Sequence, residues 1–155
     1  MINQPLRGSA TKKTRMETLQ YVRAKDRLQP DGPIDLAPLV GTWVNTNVAS
    51  TGIVKVVLSN EEGSLAVQAF GACEPTPCDW GAADDVVACA AGPDSRQPMG
   101  FTAAYDFGFM TMRLEANLSR GLLIIASFNA FHDDSGRSDF FSREFFHYQP
   151  ATDPV

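Results

Sequence analysis

The chain has 155 residues, of which 44% are hydrophobic and 20% are charged, and its net charge is −5 at neutral pH. This length and composition are typical of one globular domain with a buried core. They argue against a helical membrane span, because no apolar run approaches the ~18 residues that a span needs. The acidic balance argues against nucleic-acid binding, which relies on neutralising phosphates.

Charge is distributed unevenly along the chain. Residues 1–30 carry seven Lys or Arg against two Asp or Glu, whereas residues 31–155 carry six against sixteen. The basic head either folds back onto the acidic body or forms a solvated arm. Residues 1–15 lack the apolar middle of a secretory signal, so we expect a cytoplasmic protein.

The head is predicted to contain a short amphipathic helix within residues 14–27. Met16, Leu19 and Val22 recur at three-residue steps, which places them on one helix face. The prolines and glycine that follow stop the helix. The predicted organisation is a basic arm, and candidate lid, at residues 1–33, a folded domain at 34–150 and a tail at 151–155.

From residue 34 onward, short runs of β-forming residues alternate with turn signals. The spacing predicts eight strands joined by hairpin-length links. They cover about residues 42–47, 53–59, 65–70, 85–90, 101–107, 110–118, 122–131 and 139–148. This pattern favours an all-β fold, an eight-stranded antiparallel up-and-down barrel whose lumen either fills with side chains or holds one small ligand.

The sixth predicted strand indicates which face lies inside. Met110, Met112 and Leu114 alternate with polar residues that include Arg113 and Glu115. We therefore predict that the methionine face lines the lumen and that Arg113 and Glu115 form an outward ion pair. The seventh strand is apolar on both faces, so its outer face needs cover from the N-terminal helix or from a second copy in a homodimer.

Aromatic and methionine side chains on the later strands predict an apolar pocket inside the barrel. The predicted ligand-binding residues are Met110, Met112, Leu114, Phe101, Phe107, Phe128, Asn129 and Phe145. The polar groups expected to orient a ligand are Gln68, Tyr105, Asn129 and Asn45.

A rigid corner, residues 71–81, lies between the third and fourth predicted strands. Its two prolines forbid helix and ladder pairing, and Cys73 and Cys78 flank them. The two cysteines either form a small disulfide loop or stay reduced, as is usual in the cytosol. A zinc site is less favoured, because the chain has two histidines and no second cysteine pair. Cys89, in an apolar run, is predicted to pack as a small hydrophobe.

The first strand contains Gly41-Thr42-Trp43, which resembles the Gly-x-Trp signature that opens the barrels of lipocalins and their calycin relatives. In that family the tryptophan closes one barrel end beneath an arginine of the last strand, so the resemblance implies that Arg143 stacks over Trp43. The chain lacks the Thr-Asp-Tyr block and the long helix of lipocalins. Its Cys-x-Pro-Thr-x-Cys-Asp-Trp-Gly corner is similar to one in a group of bacterial β-barrel proteins.

The resulting hypothesis is a lipocalin-like barrel that binds a hydrophobic small molecule in its lumen. The alternative, drawn from architectural analogy, is a cofactor-independent cyclase or isomerase that closes rings, as a Diels-Alderase does, in bacterial natural-product biosynthesis. Such an enzyme would hold a flexible substrate folded and donate one hydrogen bond to a carbonyl. Its candidate catalytic residues are Tyr105, Gln68 and Trp43. A third hypothesis is an interaction module whose barrel is packed solid.

Other chemistry finds little support in the sequence. No P-loop, dinucleotide fingerprint or metal-ligand spacing is present, so no cofactor and no metal are predicted. His132-Asp133-Asp134 would suit a general base with carboxylates, but the following Ser135-Gly136 favours a turn.

Overall fold

The computed structural model of the protein describes residues 32–152, and these form nine antiparallel β-strands in one sheet that nearly closes into a barrel. The strands are β1 (Gly41–Asn45), β2 (Ile53–Glu61), β3 (Ser64–Gly71), β4 (Cys78–Ala82), β5 (Asp84–Ala90), β6 (Pro98–Asp106), β7 (Met110–Ser119), β8 (Leu122–Phe131) and β9 (Phe140–Gln149). The predicted N-terminal helix lies outside the described residues.

The order of strands in the sheet is β4-β3-β2-β1-β9-β8-β7-β6-β5. Neighbours in the chain are therefore neighbours in the sheet, and the first strand also pairs with the last. Strands β4 and β5 are the exception, because they follow one another in the chain but form the two edges of the sheet. We refer to the line between these two edge strands as the seam. Ala83 joins these strands, and its N–H donates to Val67 O at 2.8 Å.

The predicted all-β antiparallel fold is confirmed as a nearly closed barrel, but the predicted count of eight strands is wrong. The additional strand is β4, which lies inside the corner that the sequence analysis treated as unable to pair. Both prolines precede Cys78, so they remove no donor from β4 itself, and Cys78 lies opposite Gly71 of β3. Cys73 and Cys78 are joined in a disulfide, which decides between the alternatives left open for this pair.

The barrel interior is filled by apolar side chains that alternate with outward-facing residues along each strand. The largest fully buried side chains are Phe101, Phe146, Leu39, Leu58, Leu114, Leu123, Val56 and Val67. The predicted inward methionine face of β7 is confirmed, since Met112 and Leu114 are buried. Arg113 and Glu115 lie outside as predicted, with Arg113 Nη2 at 2.9 Å from Glu115 Oε1.

The predicted stacking of Arg143 over Trp43 is wrong. Phe146 is the buried residue of this part of β9, so alternation turns Arg143 outward, where it lies 5.6 Å from the ring centre of Phe145. Trp43 is buried, donates its indole N–H to Leu39 O at 2.9 Å, and meets the ring of Tyr148 edge-on. The predicted burial of Cys89 is also wrong: the thiol is exposed.

Candidate functional site

A groove of about 830 Å³ crosses the sheet from β5 to β9, and outward-facing side chains form most of its lining. Three buried residues with predicted roles, Tyr105, Met112 and Asn129, line it as well. Strand register forms the groove, because one residue from each of four neighbouring strands lies in a single row across the sheet. This row consists of Ala104 on β6, Arg113 on β7, Phe128 on β8 and Phe141 on β9. Two small side chains, Ala104 and Ala130, also line the groove. We refer to this surface as the outer groove.

One wall of the outer groove is an exposed aromatic pair. Phe128 is 41% exposed and Phe141 is 56% exposed, and their ring centres are 5.2 Å apart. The guanidinium of Arg113 lies 5.0 Å from the ring centre of Phe128, a cation–π contact. Neighbouring aromatic rings exposed in a groove are the kind of apolar surface that small-molecule sites use.

Four carboxylates also line the groove: Asp84 and Asp85 at the start of β5, Asp106 at the end of β6, and Asp139 just before β9. The main chain anchors two of them. Asp106 Oδ1 accepts a hydrogen bond from Gly108 N–H at 2.8 Å, and Asp139 Oδ1 accepts one at 2.9 Å from the N–H of a β8 residue.

Asp85 has a left-handed backbone, with φ of 50°. It lies where the register between β5 and β6 shifts, between Asp84 and Val87. Such bulges re-aim side chains and are common beside functional sites. The left-handed conformation costs roughly 1–2 kcal/mol for most residues and less for Asp, so aspartate suits this position.

Tyr105, one predicted catalytic residue, is buried and holds strands together across the seam. Its hydroxyl donates to Gly81 O and accepts from Ala69 N–H, both at 2.9 Å. These partners lie where the β3–β4 register shifts, so the hydroxyl bridges the two strands at their irregular point. Burial raises the pKa of Tyr105, and the negative charges of Asp79 and Asp84 act in the same direction.

The other two predicted catalytic residues lie elsewhere. Gln68 faces outward from β3, because Val67 and Ala69 face the core, so its predicted place in the lumen is wrong. Its amide donates to both carboxylate oxygens of Asp79, at 2.9 and 2.8 Å, and thereby lowers the pKa of Asp79. Trp43 uses its N–H on Leu39 O, so the structure does not bring the three donors together.

The predicted ligand-binding residues divide between the two faces of the sheet. Those inside the barrel are Phe101, Met112, Leu114 and Asn129, which are buried, and Met110 and Phe107, which are half-buried. Phe128 and Phe145 point outward, so their predicted place in the lumen is wrong. Strand β8 is apolar on both faces, and its alternation alone did not reveal that Phe128 lies outside.

Sequence reasoning missed a polar cluster inside the barrel. Ser127 Oγ and Ser142 Oγ are 2.7 Å apart, and Asn129 Nδ2 donates to Ser127 Oγ at 3.1 Å. Ser50 Oγ donates to Glu144 beside a cleft of about 290 Å³ between the β1–β2 loop and β9. The available signal was alternation along β9, since Ser142 and Glu144 share the parity of the buried Phe146.

The turn predicted at residues 132–136 is confirmed. Asp133 accepts hydrogen bonds from Ser135 Oγ and from Arg137 Nη2, at 2.5 and 2.7 Å, and these two donors lower the pKa of Asp133. His132 Nε2 lies 2.9 Å from Thr111 Oγ1. Within residues 32–152, no group of His, Cys, Asp or Glu side chains is arranged to hold a metal ion.

Comparison of the chain with protein-family models, with curated proteins and with solved structures finds no match. The part of the chain that the structure describes contains no helix of the length and hydrophobicity that crossing a membrane requires.

Proposed function

We propose that the protein is a small-molecule-binding β-barrel that holds a hydrophobic ligand in the outer groove. The observation that carries this proposal is the exposed Phe128–Phe141 pair inside a concavity of about 830 Å³. Pockets for small molecules usually measure about 300–1,000 Å³ and combine aromatic walls with a few polar groups. The resemblance of Gly41-Thr42-Trp43 to lipocalins adds weight to a binding barrel, but it does not indicate where the ligand lies.

The outer groove is better supported than the lumen as the place of the ligand. Phe101, Leu114 and Phe146 are fully buried and occupy the interior of the barrel. A ligand there would have to displace close-packed side chains, whereas the groove offers rings already exposed to solvent.

Binding is also better supported than ring-closing catalysis. Catalysis of that kind needs a donor free to bond the substrate carbonyl. The Tyr105 hydroxyl and the Trp43 N–H already donate to main-chain carbonyls, and redirecting either donor would break a hydrogen bond that is buried for Trp43 and half-buried for Tyr105.

A fluorescence titration with Nile red, a neutral apolar dye, tests the proposal. We expect saturable binding of one dye per chain, and an affinity at least about tenfold lower in the double variant Phe128→Ala/Phe141→Ala, because hot-spot aromatics dominate such sites. Phe145→Ala is the matched control, since Phe145 is 40% exposed on the same strand as Phe141 but does not line the groove. Wild-type affinity in the double variant contradicts binding in the outer groove.

A further inference from the structure

We propose that the natural ligand of the outer groove is an organic cation, a protonated amine carried on an aromatic or aliphatic body. The inference rests on the proposed function and adds the charge of the ligand to it. It follows from what surrounds the Phe128–Phe141 pair: four carboxylates and one guanidinium line the groove. An apolar body would lie on the rings while the amine meets the carboxylates.

Arg113, the one cation lining the described groove, is already engaged. Its Nη2 lies 2.9 Å from Glu115 Oε1, and its guanidinium covers one face of Phe128. Glu115 offsets the charge of Arg113, so the four aspartates define the potential that a ligand meets in the groove.

Two of these aspartates are held in place before any ligand arrives. Asp106 and Asp139 each use Oδ1 to accept a main-chain N–H. Within residues 32–152, no hydrogen bond reaches the Oδ2 atom of either residue. Anchored carboxylates with a free oxygen lose little side-chain entropy on binding, which favours recognition of a donor such as an ammonium group.

The spacing of the acidic groups favours an organic cation over a metal ion. A metal ion needs several ligand atoms within about 2–2.6 Å of one point, yet no three acidic, histidine or cysteine side chains in residues 32–152 converge in that way. Carboxylates spread around an aromatic wall suit a ligand whose charge and apolar body contact different parts of the groove. Exposed rings also attract organic cations directly.

Isothermal titration calorimetry with three probes of matched size tests the inference: 4-phenylbutylamine, 4-phenyl-1-butanol and 4-phenylbutyric acid. At pH 7 the first is cationic, the second neutral and the third anionic. We expect the amine to bind about tenfold more tightly than the alcohol, and the acid more weakly than either, from Coulomb terms of this order at a solvated site. Raising NaCl from about 0.05 to 0.5 M should lower the affinity for the amine about threefold or more and leave the affinity for the alcohol unchanged.

Charge-neutral variants locate the effect. Asp84→Asn/Asp85→Asn should remove most of the preference for the amine, and asparagine tolerates the left-handed backbone at position 85. Asp139→Asn is a second variant that keeps the Oδ1 acceptor, and it should reduce the preference in part. Asp94→Asn is the control, because it removes the same charge in the β5–β6 loop, outside the groove.

Each outcome decides the inference. Equal binding of amine and alcohol, both lost in Phe128→Ala/Phe141→Ala, overturns the cationic ligand and leaves the proposed function standing. An amine preference that Asp94→Asn removes as strongly as the groove variants also overturns it. Absence of binding by all three probes in the intact chain overturns both proposals, and it is the result expected if a second copy or the basic residues 1–30 are the occupant instead.

Discussion

Replacing Tyr105 with phenylalanine tests whether one hydroxyl holds the seam of the barrel together. The hydroxyl bonds Ala69 N–H of β3 and Gly81 O of β4 from its position on β6. Phenylalanine keeps the ring, and with it the parallel stacking on Phe107 at 5.6 Å between centres. The variant therefore removes two hydrogen bonds and little packing.

The expected loss of stability follows from the burial of the two partners. Ala69 is fully buried, so its N–H would be left without a partner, at a cost of about 1–3 kcal/mol. Gly81 is half-buried, so water can replace the hydroxyl there at a cost of about 0–1 kcal/mol. We expect Tyr105→Phe to lower the free energy of unfolding by about 1–4 kcal/mol.

Urea denaturation followed by tryptophan fluorescence measures this change. With a slope of about 1–3 kcal/mol/M, the midpoint should fall by at least about 0.3 M at unchanged slope. Tyr148→Phe is the control, because Tyr148 is 46% exposed and its ring contacts Trp43. A Tyr105→Phe midpoint within experimental error of wild type would refute the idea that the hydroxyl joins the strands.

Alkaline pH should weaken the same contact. Burial raises the pKa of Tyr105 above its ordinary value of 10.0, so the folded protein favours the neutral phenol. The resulting stabilisation is complete below the pKa of the unfolded chain and is lost as pH rises through the folded pKa. The urea midpoint of the wild type should therefore fall above about pH 10 more steeply than that of Tyr105→Phe, and parallel pH curves would contradict this.

Two further predictions concern the backbone. Gly100→Ala should destabilise the barrel by about 3 kcal/mol in urea denaturation, because the new methyl group would overlap Ala116 O across the β6–β7 pair, whereas the control Gly92→Ala meets no atom closer than 3.7 Å. Reduction of the Cys73–Cys78 disulfide, which closes a loop with a sequence separation of 5, should lower the unfolding free energy by about 2 kcal/mol; an unchanged urea midpoint in reductant would contradict the latter.

The barrel could be predicted from the sequence where strands are amphipathic. On β7, Met112 and Leu114 alternate with Arg113 and Glu115, and the side assigned to each is correct because one face is apolar and the other charged. On β8 both faces carry large apolar residues, so alternation does not indicate which face lies inside the barrel. There the structure places Phe128 outside and the polar Asn129 inside.

Local rules about proline explain the missed strand. Proline removes a ladder donor only at its own position, so a corner with two prolines can still be followed at once by a paired strand. The residues from Cys78 to Ala82 form β4 although proline precedes Cys78 directly. The two prolines therefore do not prevent pairing in the rest of the corner.

The outer groove could not be predicted, because it depends on the register between strands. The sequence suggests that Ala104, Arg113, Phe128 and Phe141 lie on strands, but only the pairing places them in one row. Pairing is a long-range property that the alternation within one strand does not contain.

Strand β5 borders both the seam and the outer groove, and β6 carries the Tyr105 hydroxyl that spans the seam, which links stability to binding. Asp84 lies opposite Ala104, and Ala104 directly precedes Tyr105. The Tyr105 hydroxyl therefore holds the strand that carries one edge of the groove against β3 and β4. A ligand that bridges the β5 carboxylates and the Phe128–Phe141 wall binds only while β5 stays paired with β6, so it should stabilise the edge strand against opening. Such coupling is reciprocal. Opening of the seam should therefore lower the affinity for the ligand by the same factor by which the bound ligand disfavours that opening.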